Sequence, residues 1–186
     1  MARALRQHVD EEILDRAAAL FAQHGFEQTS LKALADAVGL SKAGLLHHYP
    51  SKEALHAAAQ NFAAVRCKQV FDQVASLPLG PARDRRVLEL LTDTALDRPG
   101  LVALLFRPVT TPEAHHHDEL LSELFAIAPS DAERLIRVTG ALGALAVLSL
   151  AAHYRGDKTS WRPRIVETCF NALGHASYVD EHRRGD

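Results

Sequence analysis

Between Leu34 and Leu55 the chain reads LADAVGLSKAGLLHHYPSKEAL, and helix formation is interrupted twice in that short span. A first apolar stripe stops at Gly39, the residue best able to leave a helix through a left-handed turn. Ser41 can then cap a second helix, which Pro50 prevents from continuing. Ser51 caps a third, with Glu53 in its first turn where the helix dipole favours an acid. The short middle helix carries Lys42, His47 and His48, with Tyr49 following, where a core helix would carry leucines. Two short helices joined by a Gly turn and braced by a preceding helix form a helix-turn-helix.

The flanking sequence supplies the brace. Val9, Ile13, Leu14, Ala17, Ala18, Leu20 and Phe21 recur at helical spacing and predict a first helix over about 8–24, closed by Gly25. Thr29 or Ser30 caps the next, whose stripe is Leu31, Leu34, Ala35 and Val38. A third helix is expected over about 42–48 and a long fourth over about 52–76, ending near the LPLGP cluster at 77–81. Further helices follow over about 82–97, 101–107, 112–127, 131–154 and 161–177. The first of these is stopped by Arg98-Pro99-Gly100, and the SDAE run from Ser130 to Glu133 matches a capping box. Val, Ile and Thr never gather into alternating runs, so the fold class is all-α with about nine helices.

Function is carried by where the polar residues sit, since the net charge of −2 provides no basic field. On the third helix Leu45 points inward, while Lys42, Ala43, Gly44 and His47 face outward. Ala43 and Gly44 are small enough to let the helix lie deep in a groove. Lys42 can reach guanine O6/N7 or a phosphate, and His47 can donate to a base edge or phosphate. Ser51-Lys52 sets the next helix N-terminus, with its amides and a cation, beside the same groove.

From Ile13 to Leu55 the pattern strongly resembles the DNA-binding domain of the TetR family of transcriptional regulators. The matching features are Ile13-Leu14, Leu20-Phe21, Gly25-Phe26, Thr29-Ser30, Leu34-Ala35, Gly39-Leu40-Ser41, Leu45, His48-Tyr49, Pro50-Ser51-Lys52-Glu53 and Leu55. The resemblance implies that Lys32 joins Lys42, Ala43, Gly44 and His47 in facing bases, and that Ser30, His48, Tyr49 and Lys52 lie near phosphates. Two positions depart from the family pattern. Leu46 replaces a usual tyrosine that contacts the backbone, removing one phosphate contact, and Ala43 replaces a common glycine. Arg3 and Arg6 are either an arm beside the DNA or part of a solvated terminus.

The implied domain division is 6–66 for DNA binding, with the turn motif at about 29–48, then 67–178 for effector binding and dimerisation, and a tail over 179–186. The remainder of the chain carries no motif, and in this family that domain is characteristically divergent. The helix over 131–154 is apolar nearly all round, with Leu135, Val138, Leu142, Leu145 and Leu148 on one side. The last helix carries Ile165, Val166, Cys169, Phe170, Leu173 and Ala176 at the same spacing. Together they are expected to form a homodimer interface, because paired recognition helices must lie about one DNA turn apart.

Phe62, Phe71, Leu105, Phe106 and Phe125 are candidates to line an effector pocket, with Arg107 beside them, although apolar residues at helical spacing equally form plain core. His115, His116 and His117, followed by Asp118 and Glu119, point in three directions on a helix and are expected to be solvated, with no metal and no cofactor. No catalytic motif is present, so the chain is expected not to be an enzyme. A helical adaptor or an enzyme with scattered residues is the alternative to a regulator. Cys67 and Cys169 match a reducing compartment. The N-terminus lacks a signal-peptide core, and the apolar run Val138 to Ala152 is 15 residues long. That falls short of the roughly 18–20 needed to cross a bilayer. A cytoplasmic protein that binds operator DNA and a small molecule, and no membrane, is expected.

Overall fold

The computed structural model describes residues 2–106 and 122–175, with side chains over 8–104 and 122–175. Among these residues all regular secondary structure is helical. The elements are α1 (Ala2–His24), α2 (Leu31–Val38), α3 (Lys42–His48), α4 (Lys52–Val74), α5 (Pro81–Asp97), α6 (Pro99–Phe106), α7 (Ala132–Arg155) and α8 (Lys158–Ala172). A ninth helical segment covers 122–125. The helices over 42–48 and 52–76 lie close to where local signals place them, because serine caps and Pro50 set their starts.

Several boundaries differ, each for a local reason. α1 begins at Ala2 instead of residue 8, since no breaker precedes Val9. α5 ends at Asp97, as expected ahead of Arg98-Pro99-Gly100, but α6 opens at Pro99 and not at residue 101, since the missing proline amide costs nothing in a first turn. Asp131, not Ser130, caps α7 by accepting the Arg134 amide at 2.9 Å. Asp157 caps α8 three residues ahead of the expected start, and Leu173 and the left-handed Gly174 close it before 177. Arg107, most of the helix expected over 112–127, the histidine run at 115–117 and the tail 179–186 lie outside the described residues.

Two apolar cores organise the chain. The first joins Ile13, Ala17, Ala18 and Phe21 of α1 to Leu34, Leu45, Leu55 and Ala59, together with Leu101 and Leu104 of α6. The second joins Val70 and Val74 of α4 to Val87, Leu88 and Leu96 of α5, Val138, Leu142 and Leu145 of α7, and Ile165, Val166 and Phe170 of α8. Both α4 and α6 contribute to the two cores, so they are the struts between lobes. At the end of the second core, buried Asp84 accepts from Arg134 and pairs with His175, each at 2.6 Å. This ties the starts of α5 and α7 to His175, three residues past the end of α8. Cys67 and Cys169 are free and buried, and burial pushes both thiols up to about 11.

α7 corrects two expectations. At 24 residues it is long and apolar enough, by length and composition alone, to cross a bilayer. Leu135, expected on the same side as Val138 and Leu142, is instead 49% exposed, because Val138, Ala141, Leu142 and Leu145 turn into the core.

Candidate nucleic-acid interface

Three serines build the site by one repeated device. The hydroxyls of Ser30, Ser41 and Ser51 accept the amides of Ala33, Gly44 and Ala54 at 3.1, 3.0 and 3.1 Å, starting α2, α3 and α4. Each satisfies one amide that a helix start leaves without an internal partner. Of the two candidate caps for α2, Ser30 takes the role. Thr29 is buried and its hydroxyl donates to the Gly25 carbonyl at 2.6 Å, fastening the α1–α2 loop.

The turn between α2 and α3 closes by two bonds: Gly39 donates to Asp36 at 3.2 Å and Leu40 to Ala35 at 2.9 Å. This is the arrangement that satisfies helix-end carbonyls around a left-handed residue, and Gly39 has φ 73°. Leu34, Ala35 and Leu45 then bury against α1, which fixes the angle between the two short helices. Arg16 of α1 braces the end of α2 by donating to the Ala37 carbonyl at 3.1 Å, while Glu12 holds its guanidinium.

With Leu45 inward, Lys42, Ala43 and His47 are exposed on α3 and Gly44 is half-buried; Lys32 is exposed on α2. These are the residues assigned to bases, and the fold places them on the solvent side of adjacent helices. Gly44 has a second, local reason to be small: a Cβ there would lie 3.2 Å from the Ser41 cap oxygen. Leu46, at the family's tyrosine position, is half-buried.

The residues assigned to phosphates have internal partners. His48 Nδ1 lies 3.3 Å from Asp10 Oδ1 of α1. The Tyr49 ring packs on the first core, and its hydroxyl is pushed up by burial and by Asp10. Lys52 Nζ donates to the Phe26 carbonyl at 2.9 Å and rests over the Phe26 ring. Asp10 and Arg16 were not singled out in the sequence. The Glu12–Arg16 spacing of four was the available signal for Arg16, whereas nothing local links Asp10 to His48.

The candidate pocket phenylalanines divide between the two cores. Phe62 packs on the first beneath Arg66, and Phe71 and Phe125 on the second, where Phe125 is fully enclosed. The side chains of Leu105 and Phe106 lie outside the described set. No group of three metal-ligating side chains occurs among the described residues.

Residues 13–59 match the family described as bacterial regulatory proteins, tetR family. The transcriptional repressor KstR2 of Rhodococcus jostii is 46% identical over 44 residues, 24% of this chain and 22% of the relative. The repressor AcnR of Corynebacterium glutamicum is 35% identical over 63 residues, 34% of each chain. The chain thus spans about a fifth to a third of the length of the curated relatives it matches. Across nearly the whole chain, the fold is similar to that of the TetR family transcriptional regulator PfmR from Thermus thermophilus. The TM-score is 0.54 at 23% identity, covering 87% of this chain and 93% of that one. A TetR-like regulator from a Rhodococcus species gives a TM-score of 0.52 at 20% identity, covering 89% and 96%.

Proposed function

We propose that the chain, whose residues 13–59 match the tetR family of bacterial regulatory proteins, is a cytoplasmic homodimeric repressor of transcription. It binds a palindromic operator and is released by a small-molecule effector. Residues 6–66 form the DNA-binding lobe and 67–178 the effector-binding and dimerisation lobe. The carrying observation is the solvent face of α2 and α3, with Lys32, Lys42, Ala43, Gly44 and His47 on it and Leu45 locked behind it. Lys42 and His47 reach bases. Ser30, His48, Tyr49 and Lys52 serve the phosphate backbone. Lys52 has three donors, so two remain for a phosphate while the third holds Phe26.

Dimerisation is supported by an exposed seam on α7. Ile136, Gly140, Gly143, Val147, Leu150 and Tyr154 follow one another at steps of four and three, the spacing of a helix-pairing stripe. Ile136, Val147 and Tyr154 are 71%, 68% and 80% exposed. Nothing lies within 4 Å of a Cβ built on Gly140 or Gly143, so a partner helix has room to approach closely. The last helix contributes differently than its apolar spacing implies. Ile165, Val166, Cys169, Phe170 and Leu173 all turn into the monomer core, and the face left to a partner carries Arg164, Thr168 and Asn171.

The effector site belongs to the second lobe, with Phe71, Phe106 and Phe125 as candidate lining residues and Phe62 at the lobe boundary. An effector acts by binding one spacing of the recognition helices better than the other.

The test is selection of bound sequences from a random duplex pool, followed by a salt titration on the enriched sequence. An inverted repeat bound with steep salt dependence is expected. Lys42→Ala should change which sequences are enriched. Folded dimeric protein that enriches no sequence would overturn the reading and favour an adaptor or an enzyme.

A further inference from the structure

Arg83, in the first turn of α5, is only 7% exposed, yet among the described residues no carboxylate pairs with its guanidinium. Its Nε is fully enclosed and has no hydrogen-bond partner. The rest of the group makes one long bond, to the Glu123 carbonyl at 3.3 Å. The next two arginines of α5 behave in the opposite way. Arg85 and Arg86 are more exposed, and each has a carboxylate, Glu167 at 3.0 Å and Glu89 at 3.1 Å. Burying an ionised group without an opposite charge is costly, and a guanidinium cannot escape that cost by losing its proton.

The adjacent Asp84 does not offset it. Asp84 Oδ2 is taken by Arg134 and His175, each at 2.6 Å. Arg134 also donates to the Phe125 carbonyl at 3.2 Å, two residues from the carbonyl that Arg83 holds. Among the described residues, two guanidiniums thus share this end of the second core with a single buried carboxylate. At least one positive charge is left over. The surroundings are otherwise apolar: Arg83 Cζ lies 6.0 Å from the Phe71 ring centroid, and Phe71, Leu124 and Phe125 belong to the same core.

A guanidinium edge can donate two parallel hydrogen bonds to a carboxylate or a phosphate. The neighbouring side chains select between them. A phosphate carries further charged oxygens that need donors, and phenylalanines supply none, whereas an apolar body fits such walls.

We propose that Arg83 anchors the effector and that the effector is an apolar monocarboxylate, its charged end on the guanidinium and its body against Phe71 and Phe125. This rests on the regulator reading above and adds the chemical class of its ligand and the residue that selects it.

The experiment is calorimetric titration and thermal melting of the full chain. The probes are butyrate, decanoate, palmitate and phenylacetate, each beside its neutral alcohol, with inorganic phosphate as the bare anion. At least one carboxylate is expected to bind wild type about tenfold or more tighter than its alcohol. Arg83→Met loses that preference, and Arg83→Lys, which keeps the charge without the fork, retains part of it. Without ligand, Arg83→Met is expected to melt no lower than wild type, since the stem is kept and an unpaired buried charge is removed. A lower melting temperature marks a guanidinium already served within the chain and overturns the proposal. So does a panel in which no carboxylate outbinds its alcohol, a preference that survives Arg83→Met, or phosphate bound as tightly as the best carboxylate. A carboxylate that binds through Arg83 and leaves affinity for the selected duplex unchanged overturns its role as effector, with DNA binding intact. Failure to select any duplex overturns the regulator reading instead, and carboxylate binding that depends on Arg83 would then stand without it.

Discussion

Lys52 crosses from the start of α4 to Phe26 in the α1–α2 loop, its Nζ donating to the Phe26 carbonyl at 2.9 Å and lying 4.2 Å from the ring centroid. The ammonium proposed to serve a phosphate thus also fastens the loop behind the site. Lys52→Ala should lower stability by about 1–2 kcal/mol through the lost charged hydrogen bond and ring contact. It should also weaken DNA binding on all sequences and flatten the salt slope by about one. Thermal melts and a salt titration measure the two effects separately. A lower melting temperature with an unchanged salt slope would leave Lys52 with the loop role alone.

Gly39 adopts φ 73° with nothing within 4 Å of an added Cβ. The cost of Gly39→Ala is therefore conformational rather than steric, about 1–2 kcal/mol. Gly39→Asn should recover part of it, because asparagine tolerates the left-handed region better. Denaturant unfolding of the two variants checks the order. Equal stability of alanine and asparagine would contradict this account.

Val147 lies in the exposed α7 seam and is 68% exposed in the single chain. Val147→Glu should leave helix content unchanged and shift the protein from dimer to monomer in sedimentation. Operator affinity should fall by about tenfold or more, since the second half-site contact becomes bimolecular. A dimer that survives this substitution would move the interface off the seam.

Asp15 provides the pH dependence. Burial pushes its carboxyl up from 3.8, opposed by the Leu101 amide, Arg98, the Gly100 amide and His153. The folded state thus holds this proton more tightly than the unfolded chain does. The associated stability is present below the unfolded value and lost as pH rises through the raised one. Asp15→Asn cannot ionise there, so its stability relative to wild type should rise as pH is raised from the ordinary carboxylate range through the raised value. Melting temperatures across that range measure it. A difference that is flat, or that falls with pH, would contradict the sign.

The sequence was most informative where structure is local. Ser41, Gly39, Pro50 and Ser51 act within a turn of themselves, so α3 and the start of α4 were legible residue by residue. The stop of α5 before Pro99 was legible too, but α6 was placed two residues late, because a proline that stops one helix can also open the next. The apolar spacing on α8 was real, but spacing states only that a face is buried, not whether by its own chain or by a second copy.

By itself, then, the sequence determined the all-helical class, the helix-turn-helix and the outward set Lys42, Ala43 and His47, since caps, breakers and 3.6-residue periodicity are short-range. Tertiary structure alone decided which partners meet across long separations: His48 with Asp10, Lys52 with Phe26, and Asp15 with Leu101. It also decided which face of α7 stays outside. Those outcomes depend on how whole helices pack against one another, and helix packing is settled by the fit of all their side chains at once.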